Sequence, residues 1–301
     1  MEGVLGNGSS RRPGARVWVR GARPRTLVAS VCPVLVGTAA AAAQAQLVAW
    51  RALAALVVSV AIQVGVNYAN DYSDGVRGSD PPERLGPVRL VASGLASPAQ
   101  VRRAAAIAFA VAAVAGLALA LAVDPWLLLV GVACILAAVL YTGGPRPYGY
   151  AGFGELAVLV FFGLVATTGT AYVQLERISA LAVAASLPVG LAAVAILLAN
   201  NIRDLDSDRA AGKRTLVVRL GRDRSRALFV ATLAAVFVLV ALIGLARPPA
   251  LLALAALPLA AGPVRLVRHR QDGPGLVAAL TGTARLQLAV CVLLSVGLWL
   301  S

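Results

Sequence analysis

The sequence has little charge and few of the side chains that hold transition metals or form disulfides. Only 13% of its 301 residues are charged, whereas 59% are hydrophobic, and the mean hydropathy is +0.83. This amount of polar surface cannot cover a water-soluble globule, so a lipid bilayer must be the solvent of the chain. The three cysteines lie far apart inside apolar runs, and the single histidine, His269, lies in an Arg-rich loop. Their spacing predicts neither a metal site nor a disulfide framework.

The net charge of +14 does not indicate a nucleic-acid partner. The basic residues lie between long apolar runs and do not form one continuous polar face. The first 25 residues are polar and Arg-rich, and the first apolar run has no clear cleavage site after it, so we expect no cleavable signal peptide. The sequence therefore predicts a basic cytoplasmic segment over residues 1–25, followed by a single transmembrane domain over residues 26–301.

Long apolar runs dominate the rest of the chain and are separated by short polar segments. Each run is long enough, or nearly so, to cross about 30 Å of hydrocarbon. This pattern predicts an all-α fold, a polytopic membrane bundle of about nine transmembrane helices, with the eighth short. The predicted spans are 26–44, 52–70, 104–122, 125–142, 153–173, 178–200, 227–246, 249–264 and 280–300.

The distribution of arginines predicts the orientation in the plasma (inner) membrane, because cytoplasmic loops carry the excess of basic residues. With a cytoplasmic N-terminus and an odd number of helices, the outer loops keep only Arg51, Arg177 and Arg247. The basic clusters before the first helix, after the second and after the sixth then all face the cytoplasm. We therefore expect the C-terminus to be extracytoplasmic.

Acidic residues are scarce, but seven of the thirteen fall in two short stretches. In the first stretch Asn67 and Asp71 are four residues apart, so they lie on one helix face, and Asp74 follows one turn later. In the second stretch Asn200, Asp204 and Asp208 repeat the same step at the end of the sixth helix. We call these two sets the acidic ladders. The other acids of the two stretches are Asp80, Glu83 and Asp206.

Carboxylates this close repel one another at a membrane boundary unless a cation lies between them. Oxygen ligands without His or Cys favour Mg²⁺, which also bridges to phosphate oxygens. We assign Asn67, Asp71, Asp204 and Asp208 to Mg²⁺ and a diphosphate, with Asp74 in support. Basic residues near the ladders complement phosphate. Candidates for direct diphosphate contact are Lys213, which is the only lysine of the chain, Arg77 and Arg214.

The two ladders resemble the paired Asp-rich motifs of the UbiA superfamily of intramembrane prenyltransferases. Further segments resemble the menaquinone-pathway branch, which prenylates 1,4-dihydroxy-2-naphthoate. These segments are 22–26, 84–89, 141–150 with Gly154 and Glu155, 212–216 and 219–221. The first motif departs from the family pattern because position 78 is Gly and not an acid, and whether Asp80 fills that role is open.

The resemblance implies a helical bundle in which the Asp motifs bind Mg²⁺ and a polyprenyl diphosphate, while the prenyl tail lies in an apolar tunnel open to membrane lipid. Departure of the diphosphate would leave an allylic cation, and an aromatic acceptor would then attack this cation. If the acceptor is dihydroxynaphthoate, the acceptor also loses its carboxylate as carbon dioxide. Arg146 is a candidate for the acceptor's carboxylate, or a plain positive-inside anchor. Tyr141 and Tyr148 are candidates for stacking on the acceptor, or interfacial aromatic residues.

Other functions fit the sequence less well. A UbiA-type enzyme could act on 4-hydroxybenzoate or homogentisate instead. A transferase of the CDP-alcohol type would need its acids in one compact run, whereas the two acidic stretches lie more than a hundred residues apart. A secondary transporter would carry its acids near the bilayer midplane, and not at helix ends on one side. Prenyl chain length, oligomeric state and the identity of a general base are not predictable from the sequence.

Overall fold

The structure is a computed structural model that describes residues 13–78 and 88–301. In the described part of the chain every regular element is a helix, which confirms the all-α prediction. The helices are α1 Ala15–Ala22, α2 Val28–Ala42, α3 Ala49–Arg77, α4 Pro98–Ala122, α5 Leu127–Leu140, α6 Gly154–Leu175, α7 Ala180–Arg203, α8 Leu205–Ala210, α9 Leu216–Leu220, α10 Arg222–Ala246, α11 Pro248–His269 and α12 Gly273–Trp299. Asp80, Glu83 and Arg84 lie outside the described residues.

Nine of these helices match the predicted spans, and the chain is a multi-span membrane protein. Seven are long and apolar enough to cross a bilayer, and two, α2 and α5, are shorter apolar helices. The predicted eighth span is longer than expected, because α11 runs over 22 residues from Pro248 to His269. Its first part, Pro248–Ala260, is wound as a 3₁₀ helix, which rises further per residue than an α-helix.

Side chains of the polar linkers fix where several helices begin. Ser97 and Gln100 form a capping box at the start of α4, with Pro98 in the first turn. Ser179 accepts a hydrogen bond from the Ala182 N–H at the start of α7, and Asp272 accepts one from the Gly275 N–H at the start of α12. These caps satisfy N–H groups that have no partner inside the helix. Short polar linkers thus set the ends of the spans.

The buried centre of the bundle lies around α7, which contacts α2, α6, α10 and α12. Val189 and Leu198 of α7 are fully buried, as is Leu294 of α12. On the other side, α4 and α5 expose large aliphatic side chains such as Leu121 and Leu129. Apolar side chains exposed in this way on a membrane bundle are those that face lipid.

Glycines allow the backbones of α6 and α7 to come into direct contact. A Cβ atom added to Gly163 of α6 would lie 2.8 Å from the Cα of Gly190 on α7, and the reverse distance is the same. Part of α6 around this point, Leu159–Val165, is a π-helix. Small residues at such crossings permit van der Waals contact between helices in lipid.

We therefore expect Gly190→Ala to lower the unfolding temperature in detergent, because the added methyl group clashes with backbone atoms. Overpacking of this kind costs about 1–3 kcal/mol. Gly169→Ala on α6 is the matched control, since a Cβ there meets no atom within 4 Å. Thermal unfolding of both purified variants tests the close crossing, and equal stability of the two would contradict it.

Candidate active site

The ends of α3 and α8 meet around the single lysine. The Nζ atom of Lys213 lies 3.3 Å from the Oδ1 of Asp208 and 3.8 Å from the Oδ1 of Asp74. All three side chains are buried or nearly so. The backbone N–H of Lys213 also donates to the Asp208 carbonyl, which holds the lysine beside α8. One acid from each ladder therefore converges on a single cation position.

Two further groups bind the Asp74 carboxylate. Arg89 forms a salt bridge with Oδ2 at 3.0 Å, and the Tyr150 hydroxyl donates a hydrogen bond to Oδ1. The Lys213 Nζ lies 4.7 Å from the centre of the Tyr150 ring, a cation–π contact. Burial, and then the Asp74 charge, raise the pKa of Tyr150 well above its usual range. The hydroxyl thus stays protonated and remains a donor at physiological pH.

Asn67 and Asp71 make contacts of a different kind. The Asp71 carboxylate accepts hydrogen bonds from the backbone N–H groups of Leu90 and Val91, at 2.8 and 3.0 Å, and is fully buried. The Asn67 amide donates to the Ala22 carbonyl and to the Thr26 hydroxyl. These contacts connect α3 to the turn before α4, to the end of α1 and to the segment between α1 and α2. In this structure both side chains shape the backbone around the site.

Asp204 is bound by its own neighbour. The Arg203 guanidinium forms a two-point contact with the carboxylate at 2.7 and 2.8 Å, and its Nη2 also donates to Asn200. Asp204 is buried and lies one helical turn before Asp208, whose N–H donates to the Asp204 carbonyl. The second ladder is therefore continuous across the short break between α7 and α8.

The three arginines proposed for substrates are all exposed, but they make different contacts. Arg77 donates to the carbonyl oxygens of Thr142 and Gly144, and its guanidinium lies 5.7 Å from the centre of the Tyr150 ring. The Arg214 backbone N–H donates to the Tyr150 carbonyl at 2.8 Å, while its side chain is exposed. Arg146 is exposed in the loop between α5 and α6. Arg77 therefore borders the site, and Arg146 lies on the loop that carries Tyr150.

Tyr141 and Tyr148 pack edge to face, with ring centres 5.5 Å apart. The Tyr148 hydroxyl donates to the Ala137 carbonyl of α5, and burial raises the pKa of Tyr148 to about 12. Burial also raises the pKa of Tyr141, and the charges of Glu155, Asp208 and Asp74 raise it further. Tyr141 therefore lies within electrostatic reach of both acids that face Lys213.

Two residues that bind Asp74 were not predicted as site residues. Tyr150 and Arg89 belong only to the longer segments 141–150 and 84–89 that carry the family resemblance. Asn70 is not among the residues predicted from the sequence, although Asn70 and Asp74 have the same four-residue step as Asn67 and Asp71. The Thr142 hydroxyl donates to the Asn70 side chain at 2.6 Å. The four-residue step from Asn70 to Asp74 was therefore visible in the sequence and indicated a second polar face of α3.

Asp74 and Asp208 supply oxygen ligands of the kind that a divalent cation needs. Among the described residues no group of three or more His, Cys, Asp or Glu side chains could hold a metal ion. However, the carboxylates of Asp74 and Asp208 both approach the Lys213 ammonium group, at 3.8 and 3.3 Å. Two carboxylates supplemented by water and phosphate oxygens match the coordination that Mg²⁺ prefers.

The sequence pattern of the UbiA prenyltransferase family matches residues 30–288. The chain belongs to the UbiA prenyltransferase family. This confirms the resemblance inferred from the two ladders. A 1,4-dihydroxy-2-naphthoate octaprenyltransferase from Mycobacterium tuberculosis is 51% identical over 277 residues, which cover 91% of this chain and 94% of the relative. One of the same name from Escherichia coli is 37% identical, covering 95% and 96%.

Solved UbiA homologues share the fold. The apo structure of a homologue from Aeropyrum pernix aligns with a TM-score of 0.65 at 19% identity, over 90% of this chain and 96% of that one. A homologue from Archaeoglobus fulgidus bound to DMAPP and Mg²⁺ aligns with a TM-score of 0.64 at 13% identity, over 93% and 99%. At such low identities the likeness concerns the helical architecture.

Proposed function

We propose that this UbiA-family enzyme transfers a polyprenyl group from a polyprenyl diphosphate to 1,4-dihydroxy-2-naphthoate, with loss of carbon dioxide. The convergence of Asp74 and Asp208 on one cation position supports diphosphate chemistry at this site. The names of relatives at 51% and 37% identity support dihydroxynaphthoate as the acceptor. The products would be a demethylmenaquinol and pyrophosphate.

We assign the metal and diphosphate to the space between α3 and α8. Mg²⁺ bound there would neutralise charge on the departing diphosphate. Asp74 and Asp208 are the proposed ligands, with Asp204 as the neighbouring acid of its ladder. Lys213, Arg77 and Arg214 are proposed to contact phosphate oxygens. Asn67 and Asp71, the first choices from the sequence, are proposed to act mainly by holding the surrounding backbone, because their polar atoms contact main-chain groups.

The buried surroundings of Asp74 and Asp208 would also protect the reaction. An allylic cation that met water would form a free prenol, so the site must exclude water. The Tyr150 ring covers Lys213, and Tyr141 and Tyr148 pack against each other in the segment that leads to Tyr150. The prenyl tail would extend from this point into the apolar bundle and its surrounding lipid.

We propose that the site faces the cytoplasm of a plasma membrane protein, with an extracytoplasmic C-terminus. A reporter fused after Ser301 should then be active outside, whereas reporters placed near Lys213 should be active inside. The physical reason is the excess of arginine in the segments on the ladder side. A cytoplasmic C-terminus in the reporter assay would contradict this orientation.

Acceptor preference is the direct test of the proposed reaction. With one prenyl diphosphate and Mg²⁺, 1,4-dihydroxy-2-naphthoate should be prenylated and release carbon dioxide, and the decarboxylated naphthalene diol should be a poorer acceptor. Loss of one charged hydrogen bond from the carboxylate corresponds to about 1.5–3 kcal/mol in kcat/KM. Arg146→Ala should reduce activity on the acid and leave activity on the diol nearly unchanged.

The outcomes separate the acceptor from the role of Arg146. A preference for 4-hydroxybenzoate or homogentisate would show that the branch assignment is wrong while prenyl transfer stands. Equal losses on both naphthalenes in Arg146→Ala would remove Arg146 from the carboxylate role. Arg177→Ala, an exposed arginine at the opposite end of α6, is the matched control and should behave as the unmutated enzyme.

A further inference from the structure

A buried carboxylate outside the two ladders lies at the start of α6. Glu155 is only 7% exposed, although it occupies a membrane-spanning helix. Its Oε1 accepts a hydrogen bond from the Asn201 amide of α7 at 2.9 Å. Burying a carboxylate is costly in a membrane, so such a residue marks a functional site unless packing alone explains it. The proposed binding of metal and diphosphate does not use Glu155.

Tyr141 connects Glu155 to the acid pair. A Cβ added to Gly154, the residue before Glu155, would lie 3.0 Å from the Tyr141 hydroxyl oxygen, so the absence of a side chain lets the tyrosine lie against the first turn of α6. Burial, and then the charges of Glu155, Asp208 and Asp74, raise the pKa of Tyr141. Glu155 and the acid pair therefore lie near the same tyrosine.

Asn201 fixes the Glu155 carboxylate from the second side. It lies on α7 three residues before Asp204, so the helix that carries the second ladder also positions Glu155. The Glu155 carboxylate thus accepts from the neutral Asn201 amide of α7, and the Tyr141 hydroxyl lies against the preceding residue, Gly154. Neither of these neighbours is a permanent cation that would form an ion pair with the carboxylate.

From this geometry we infer that Glu155 accepts the proton of a ring hydroxyl group of the aromatic acceptor. The inference rests on the proposed function, because it needs a hydroxylated aromatic ring between Glu155 and the acid pair. A phenol attacks carbon more readily as its hydroxyl proton is removed, and a positioned carboxylate can supply this general-base step. Tyr141 would border the ring and keep it close to the allylic carbon.

The proposed attack takes place at the ring carbon that bears the carboxylate. The hydroxyl proton passes to Glu155, and the electron pair left on oxygen moves into the ring. A ring carbon then bonds to the allylic carbon, whose bond to oxygen breaks with both electrons leaving on the diphosphate. Loss of carbon dioxide returns a pair to the ring, and Glu155 gives the proton back to the oxygen. No oxidant or additional reactant is needed.

The alternative role for Glu155 is a helix-to-helix link through Asn201, and Glu155→Gln distinguishes the two. A glutamine keeps an oxygen that accepts from Asn201 but cannot take a proton at neutral pH. Turnover of 1,4-dihydroxy-2-naphthoate should fall by about 10²–10⁴-fold. It should recover as the pH rises through the ionisation of the acceptor's hydroxyl, since the acceptor then arrives without that proton.

Binding of Mg²⁺ and prenyl diphosphate at the acidic ladders provides a second measurement that does not depend on turnover. The rise in unfolding temperature caused by Mg²⁺ with prenyl diphosphate should be the same in Glu155→Gln as in the unmutated enzyme. Glu176→Gln, the same substitution at the other end of α6, is the matched control and should leave activity unchanged; Glu176 is exposed and pairs with Arg51. Glu155→Asp keeps the carboxylate and should retain more turnover than Glu155→Gln. It is also the alternative test if the glutamine variant does not fold.

Two results would overturn the inference while leaving the proposed function intact. One is near-normal turnover in Glu155→Gln at neutral pH. The other is a loss of turnover that is independent of pH, which would indicate a structural link. If the unmutated enzyme prenylates no aromatic acceptor, the proposed function itself fails and the inference fails with it.

Discussion

Asp74→Asn should abolish nearly all prenyl transfer, and it also removes the carboxylate that pairs with Arg89 and Lys213. The substitution removes a negative charge and no packing volume, and the amide oxygen still accepts the hydrogen bond from Tyr150. Without that charge the shared cation position loses one of its two carboxylates, so electrostatic help to the departing diphosphate is lost. Removal of such help costs about 10²–10³-fold or more in turnover. Pyrophosphate release in the presence of Mg²⁺ measures the effect.

Asp71→Asn is the matched comparison, one helical turn earlier on α3. Its carboxylate accepts from two backbone N–H groups, and an asparagine has only one oxygen to replace two. We therefore expect Asp71→Asn to lower the unfolding temperature, with the loss of one buried hydrogen bond costing about 1–3 kcal/mol. Asp74→Asn should lose far more turnover than Asp71→Asn, and only Asp74→Asn should lose the rise in unfolding temperature caused by Mg²⁺ with prenyl diphosphate. If Asp71→Asn instead shows the larger loss of turnover and of this rise, Asp71 is the metal ligand, as the sequence first indicated.

Lys213→Met should destabilise the metal-free protein strongly. The methionine has a similar length but no charge, so the ammonium between Asp74 and Asp208 would be lost, while Asp74 would retain its ion pair with Arg89. Removal of one partner from a buried ion pair costs up to about 3–5 kcal/mol, and the retained Arg89 contact reduces this cost. Mg²⁺ with prenyl diphosphate should restore much of the lost stability, because the metal would take the place of the ammonium. Thermal unfolding with and without these ligands measures both effects.

Lys213→Arg is the control for charge. It keeps the positive charge, so its metal-free stability should exceed that of Lys213→Met, but its planar guanidinium replaces a compact ammonium. We expect the KM for prenyl diphosphate to rise, or turnover to fall, by several-fold. Equal stability of the unmutated enzyme and Lys213→Met without metal would contradict the role of Lys213 as a counter-charge.

The helical architecture was predictable because its cause is local. Apolar runs of sufficient length must cross the bilayer as helices, since backbone groups in lipid need partners within the same segment. The length of α11 was not predictable in the same way. Its Pro248–Ala260 part contains prolines and follows 3₁₀ geometry. The predicted span ended where the apolar run gives way to basic residues, whereas the helix continues through those residues to His269.

The sequence was sufficient to predict which stretches form the candidate site. It was not sufficient to predict which side chains point into the site. Asn67 and Asp71 share a four-residue step, and so do Asn70 and Asp74, so spacing alone gives two possible faces of α3. The contacts that distinguish the faces are long-range: Leu90 and Val91 bind Asp71, whereas Lys213 approaches Asp74. Glu155 and Asn201 meet only because α6 packs against α7. Such pairings depend on helix packing, which one sequence does not reveal.

The position of Lys213 gives the protein a built-in chemical reporter. It is the only side-chain primary amine in the chain, and it is 9% exposed between two carboxylates. An amine-selective reagent therefore has one side-chain target, and modification requires the ends of α3 and α8 to separate. The rate at which Lys213 is labelled would measure how often this opening occurs.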